Sequence, residues 1–142
     1  MQQQKQNTFK VVLTGPESSG KTTLAAALAR HFNTNWTPEF ARFYLQYLGR
    51  PYQQSDLEMI GKGQSAWENW YGRQAQKLYF CDTDWTVLHV WEAYKFETAN
   101  EDFENLKNFR NPERAHRYWK KGYADVKRAD LYLLCAPDFP WE

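Results

Sequence analysis

Apolar positions fall in short blocks along this chain, and most blocks end in a turn signal. The first, FKVVLT at residues 9–14, is brief and rich in β-branched side chains. It runs directly into a glycine-rich segment, which predicts a buried first strand. From Lys21 the period lengthens: Leu24, Leu28 and Phe32 recur every four residues among alanines, predicting a helix that ends near Asn33. TNWTP reads as a short extended segment, because Pro38 pushes Thr37 out of helical geometry. A helix is expected over residues 39–48, stopped by Gly49 and Pro51.

Ser55-Asp56-Leu57-Glu58 is a capping-box pattern, and the helix it opens should reach about Gln76. Leu57, Ile60, Trp67 and Tyr71 share one face of that helix, and so does the polar Gln64. Gly61 and Gly63 each weaken it by roughly 1 kcal/mol relative to alanine, and they leave room for another backbone or a ligand. KLYFCDTD, residues 77–84, predicts a strand that ends in two acids. Helix is expected again over 85–96, and Pro112 is a start signal for a helix carrying Arg114, Arg117 and Tyr118. ADLYLLCAP, residues 129–137, predicts the last strand. Strand and helix alternate throughout, so the fold class is α/β: a parallel sheet with helices on both faces, a three-layer sandwich.

Length and composition narrow this only slightly. The 142 residues suit one domain, with 1–8 as a frayed polar tail and 9–142 as the folded unit. Eighteen basic against 17 acidic side chains give a net charge of +1, which argues against a nucleic-acid partner or a polybasic membrane anchor. Cys81 and Cys135 lie in apolar runs without metal-ligand spacing, so both are expected as buried free thiols. The N-terminus has no signal-peptide pattern and no run approaches a membrane span, so a cytoplasmic protein is expected.

The chemistry begins at residue 15. Gly15-Pro16-Glu17-Ser18-Ser19-Gly20-Lys21-Thr22 matches G-x-x-x-x-G-K-[ST] in full, between a predicted strand and a predicted helix. In such a loop the backbone N–H groups from about Ser18 to Thr22 point at phosphates, and the helix that follows adds its dipole. Glycine is needed at 15 and 20 because the backbone must bend sharply and approach the oxygens. Lys21 supplies charge between the β- and γ-phosphates, and the Thr22 hydroxyl is a Mg²⁺ ligand. ATP and Mg²⁺ are the cofactors implied.

Ligands of an open parallel sheet sit beyond the carboxyl ends of its strands. Strand alternation would turn Asp82 and Asp84 to the same side, one holding Mg²⁺ through water and the other accepting a hydroxyl proton or binding a ribose hydroxyl. A helix N-cap is the competing role for Asp84. Glu39, in TPEFAR, is a second candidate carboxylate for this cleft, with Arg42 one turn on; a surface i,i+3 pair is the alternative. Asp130 sits at the amino end of the last strand, away from the chemistry. Arg114, Arg117, Lys120 and Lys121 form a basic cluster, read as a solvated helix face or a phosphate clamp.

GPESSGKTTL, TPEFARFYL, FCDTDWTVL and ADLYLLCAPDFPW together resemble the ribosylnicotinamide kinase domain of NadR-type proteins, a NadR-like AAA-type ATPase domain among the P-loop kinases. The resemblance spans residues 10–141 and implies a P-loop NTPase fold of the nucleoside/nucleotide-kinase type. It implies ATP- and Mg²⁺-dependent phosphorylation of the 5′-hydroxyl of nicotinamide riboside or a similar nucleoside, a step of NAD biosynthesis. It extends the nucleotide contacts to Gly15, Glu17, Ser18, Ser19, Gly20, Lys21, Thr22 and Thr23, and puts substrate contacts at Glu39, Arg42, Asp82 and Asp84. Lys21, Asp82 and Asp84 are the catalytic candidates, and Thr22 and Asp82 hold the metal. Trp85 or Tyr44 is the candidate to stack on the acceptor base.

The three histidines form no H-x-G-H motif, so adenylyltransferase activity does not carry over. NadR-type kinases continue into an arginine-bearing lid and a final strand, so this chain is expected to be part of a longer reading frame. No N-K-x-D motif supports a GTP switch, and FCDTD lacks the acidic pair of a motor ATPase. A nucleotide-binding regulatory module without kinase activity is the alternative function.

Overall fold

The computed structural model describes residues 7–17, 19–95 and 128–137. The predicted helix beginning at Pro112, with Arg114, Arg117, Lys120 and Lys121, lies outside them. The described residues form eight elements, in chain order: β1 (Phe9–Thr14), α1 (Lys21–His31), β2 (Trp36–Thr37), α2 (Phe40–Leu48), α3 (Gln54–Gln74), β3 (Leu78–Asp82), α4 (Thr86–Lys95) and β4 (Leu131–Leu134). The strands form one parallel sheet in the order β2-β3-β1-β4.

This order places the site. The chain leaves β1 for the β2 edge and later returns to insert β3 between them, so β1 and β3 are neighbours whose chain connections diverge. Such a switch point opens a crevice at the strands' carboxyl ends. The phosphate-type loop follows β1 there, and Asp82 closes β3 in the same place.

β1 is the hub because its side chains alternate between two cores. Val11 and Leu13 pack with Ala25, Ala29 and Phe80 on the α1 side. Val12 packs with Ala75, Tyr79 and Cys81 on the opposite face. A third cluster, Ala41, Leu57, Ile60 and Leu88, joins α2, α3 and α4. The predicted three-layer α/β sandwich is the fold.

Several details depart from expectation. The four-residue recurrence of Leu24, Leu28 and Phe32 marks α1 but not its buried stripe. Ala25 and Ala29 are buried, whereas Leu24 is 39% and Phe32 53% exposed. Small residues let the helix lie close to the sheet directly after the loop, where a leucine face would hold it off.

The capping box of α3 sits two residues earlier than Ser55–Glu58. Gln53 is the N-cap, and the Asp56 carboxylate accepts its backbone N–H at 2.7 Å. Asp56 wins this position because it also accepts a two-pronged bond from Arg50 and one from the Tyr44 hydroxyl. The Arg50 bond, first among these, holds its carboxyl well below the usual range. Glu58 instead pairs with Lys62 on the surface.

β3 stops at Asp82, two residues short of the expected end, because Thr83 adopts a left-handed φ of 67°, although its N–H still donates to Leu13 O on β1. β4 is likewise shorter than predicted. Cys81 is buried, while Cys135 is only half-buried; both are free thiols. Among the described residues no helix is long and apolar enough to cross a membrane.

Candidate active site

The loop's geometry follows from its glycines. Gly15 has φ 147°, and a Cβ there would lie 2.5 Å from the carbonyl oxygen of Cys135, just beyond β4. Glycine is required at 15 by the neighbouring strand as well as by the bend. Gly20 takes a left-handed φ of 79° as the N-cap of α1 and turns the chain from loop to helix. Ser19 Oγ donates to Pro16 O at 2.7 Å, tightening the turn, and Lys21 Nζ donates to Gly15 O at 2.9 Å and to Pro16 O at 2.6 Å. Ser18 lies outside the described residues. Thr23, the third residue of α1, is exposed.

Behind the loop, Thr22 Oγ1 donates to Asp82 Oδ2 at 2.5 Å. Asp82 is 1% exposed, and its other oxygen, Oδ1, has no hydrogen-bond partner among the described residues. A buried carboxylate oxygen without a donor is costly unless something satisfies it. The hydroxyl, the carboxylate and the spare oxygen fit Mg²⁺, a hard cation that takes few protein oxygens and keeps positions for phosphate and water. Thr22 and Asp82 are the residues that would hold it.

A cleft of about 550 Å³ opens over the loop. Thr14, Gly15, Pro16, Glu17 and Lys21 line its phosphate side. Glu39 and Arg42 line the facing wall. Burial pushes the Glu39 carboxyl up, the negative charge of Asp82 adds to this, and Arg42 and Lys21 oppose it. Arg42 Nε stands 4.0 Å from Glu39 and is 68% exposed, so the pair is weak.

The expectation that Asp82 and Asp84 point the same way depended on an unbroken strand, and the turn at Thr83 removes it. Asp84 is buried, and both its oxygens are engaged. Oδ1 accepts the Thr86 N–H at 2.9 Å, at the start of α4, and Oδ2 accepts the Tyr132 hydroxyl at 2.7 Å. Burial and the Asp84 charge push the Tyr132 phenol up, so it stays a donor. Asp84 does not line the cleft, and neither do Thr22 and Asp82, which sit behind the loop; what sets Asp84 apart is that both its oxygens are engaged. Trp85 and Tyr44 do not line the cleft either; they pack around the α2–α3–α4 cluster.

Sequence reasoning missed Leu45, Thr83, Val87, Trp91 and Leu134, all of which line the cleft. The four-residue spacing of Val87 and Trp91, which puts both on one helix face, was the available signal. Thr83 Oγ1, in the same wall, is buried without a partner among the described residues.

A parallel sheet whose first strand feeds a glycine loop, with a Thr–Asp pair behind it, defines the P-loop class of α/β proteins. Within that class the chain belongs to the AAA domain family AAA_28, whose model matches residues 10–142.

Its relatives include the trifunctional NAD biosynthesis/regulator protein NadR of Salmonella typhimurium strain LT2 and of Escherichia coli K12. Each is 30% identical over 135 residues, covering 92% of this chain and 29% of the relative. The chain therefore spans under a third of those proteins. Among solved structures it is similar to NadR in complex with NR (TM-score 0.70, 28% identity, 90% of this chain and 33% of that one). It is also similar to NadR in complex with NAD and AMP-PNP (TM-score 0.68, 29% identity, 90% and 34%).

Proposed function

We propose that this chain transfers the γ-phosphoryl group of ATP to the 5′-hydroxyl of nicotinamide riboside or a closely similar nucleoside. The observation that carries the proposal is the cleft itself: the phosphate loop forms one wall, and Glu39, with a raised pKa, stands in the other. The similarity to NadR structures holding NR and AMP-PNP supports both halves of the reading.

The loop amides and the start of α1 bind the β- and γ-phosphates. Lys21, now held by two carbonyls, is within the loop that would present its charge to the transferring group. Mg²⁺, when bound at Thr22 and Asp82, neutralises charge on the phosphate oxygens. The acceptor oxygen forms the new P–O bond as the bond to the β-phosphate oxygen breaks, and Glu39 orients the hydroxyl and takes its proton. Burial makes that carboxylate a stronger base than an exposed glutamate. Asp84 serves by fixing Tyr132 and the start of α4. Trp91 supplies an aromatic surface for the acceptor's ring.

The test is a panel of nucleosides and nicotinamide riboside with ATP-Mg²⁺, read as acceptor-dependent ADP release. Nicotinamide riboside should give the largest stimulation. Nucleotide binding with no acceptor-dependent release from any member would overturn the proposal in favour of a binding module.

A further inference from the structure

The start of α2 is held in an unusual way. The first N–H groups of any helix lack partners within it, and an N-cap side chain normally satisfies one of them. Glu39 occupies the N-cap of α2 but makes no side-chain cap bond, and its carboxylate lines the cleft instead. The free N–H of Phe40 is taken by Gln64 of α3, whose Oε1 accepts it at 2.9 Å.

Gln64 is buried, and its orientation has only one chemically sound solution. Its Nε2 donates to Glu68 Oε1 at 3.2 Å, and a reversed amide would put an oxygen against that carboxylate and an NH₂ against the Phe40 N–H. Glu68 Oε2 in turn accepts from Lys10 Nζ at 2.8 Å, with both side chains 1% exposed. Burial disfavours charge on Lys10, yet the carboxylates of Glu68 and Asp84 more than compensate and keep the ammonium protonated, while burial pushes the Glu68 carboxyl up. Lys10 belongs to β1, the strand that leads into the phosphate loop. A buried polar chain thus runs from β1 through α3 to the first amide of α2. Gly63 completes the seat, since a Cβ there would overlap the Phe40 ring. Phe40 is held twice, by its ring over Gly63 and by its N–H on Gln64.

We propose that Gln64 is a positioning residue: by holding the first N–H of α2, next to Glu39 in the chain, it fixes the backbone that carries Glu39 and keeps that carboxylate in the cleft. The proposal rests on the reading of Glu39 as the acceptor-side acid, and it names what sets that acid's position.

Gln64→Met keeps the volume and removes both hydrogen bonds. Misplacing a reacting group costs up to about 10²-fold. The expected change is a rise of about tenfold or more in acceptor KM/kcat, with the KM for ATP within about twofold of wild type. The effect should vanish in a Glu39→Gln background, because the two changes act on one interaction. Gly63→Ala, which pushes the Phe40 ring but leaves the amide chain, should show the same acceptor-selective loss. It carries the test if Gln64→Met does not fold.

The ¹³C resonance of the Glu39 carboxyl, taken at one pH without substrate and assigned by its loss in Glu39→Gln, should move in both variants. Folded variants with an unmoved Glu39 resonance overturn the positioning. So does an equal loss toward ATP and acceptor. An inert wild type defeats the kinase reading instead, and the resonance still reads the positioning.

Discussion

The two walls of the cleft are built by different means. On the phosphate side, one short loop and the first turn of α1 provide most of the geometry, and among the described residues the distant contributions are Asp82 behind the loop and the end of β4, with Leu134 and the Cys135 carbonyl. The geometry there is backbone geometry: two glycines at positive φ, a helix start and a lysine folded onto its own loop. The facing wall is assembled from side chains on α2, the turn after β3, and α4, held in register by contacts tens of residues apart. A local backbone device tolerates change elsewhere in the molecule. An assembled wall depends on every helix that presents it. Nucleotide handling should therefore fail mainly through the loop, Thr22 and Asp82, while acceptor handling should fail through many positions, some of them far from the substrate.

The largest effect that tests this contrast is Lys21→Ala. Loss of a preorganised cationic donor costs about 10²–10³-fold or more in kcat, and ADP release with any acceptor should fall to background while the melting curve is unchanged. Substantial remaining turnover would break the assignment of the phosphate wall.

Glu39→Gln comes next. Removing a general base costs about 10²-fold or more, with nucleotide affinity retained in a direct titration. The pH profile gives a sharper view. Glu39 acts only when ionised, and burial holds its pKa above the ordinary 4.5. The wild-type kcat/KM should fall as pH drops through that raised value, and this acid limb should be missing from the Glu39→Gln profile. A limb that persists unchanged would assign it to another group.

Trp91→Ala should act on the acceptor alone. Stacking of a base on an aromatic ring is worth about 1–3 kcal/mol, so acceptor KM should rise about tenfold while the KM for ATP stays put. An equal rise in both would mean that Trp91 shapes the whole cleft.

The smallest expected effect is on stability. A carboxyl whose folded pKa is raised contributes stability that is present below its unfolded pKa and lost as pH rises through the folded one. At neutral pH ionised Glu39 therefore weakens the fold. Glu39→Gln should melt a few degrees higher at pH 7.5, and the gap should close below about pH 4. A lower melting temperature at both pH values would show that the carboxylate supports the wall it stands in.

The same contrast explains what could be read from the residues alone. β1, the loop, α1 and α2 were legible because periodicity, Gly15, Gly20, Gly49 and Pro51 act within a few positions of the structure they cause. The capping box of α3 was misplaced because Asp56 is chosen by Arg50 and Tyr44, partners that no S-x-x-E pattern contains. The common orientation expected for Asp82 and Asp84 failed at one dihedral angle, that of Thr83. Trp91 was passed over for Trp85 and Tyr44 because composition offers many aromatics, and only the packing of α4 decides which one reaches the cleft. Gly63 makes room not for a backbone or a ligand, as the sequence suggests, but for the side-chain ring of Phe40, a partner visible only with the two helices together.

Gly15 carries a consequence for anyone evolving this protein in the laboratory. The carbonyl of Cys135 occupies the space where its side chain would begin, so the position is constrained before any ligand arrives. A library randomised at 15 and sorted only for folded, soluble protein should return glycine almost as strictly as one sorted for turnover. At Lys21, whose side chain packs into no core, the two sorts should diverge. Invariance in such a selection would thus mark phosphate chemistry at Lys21, but at Gly15 it would report the spacing of two strands.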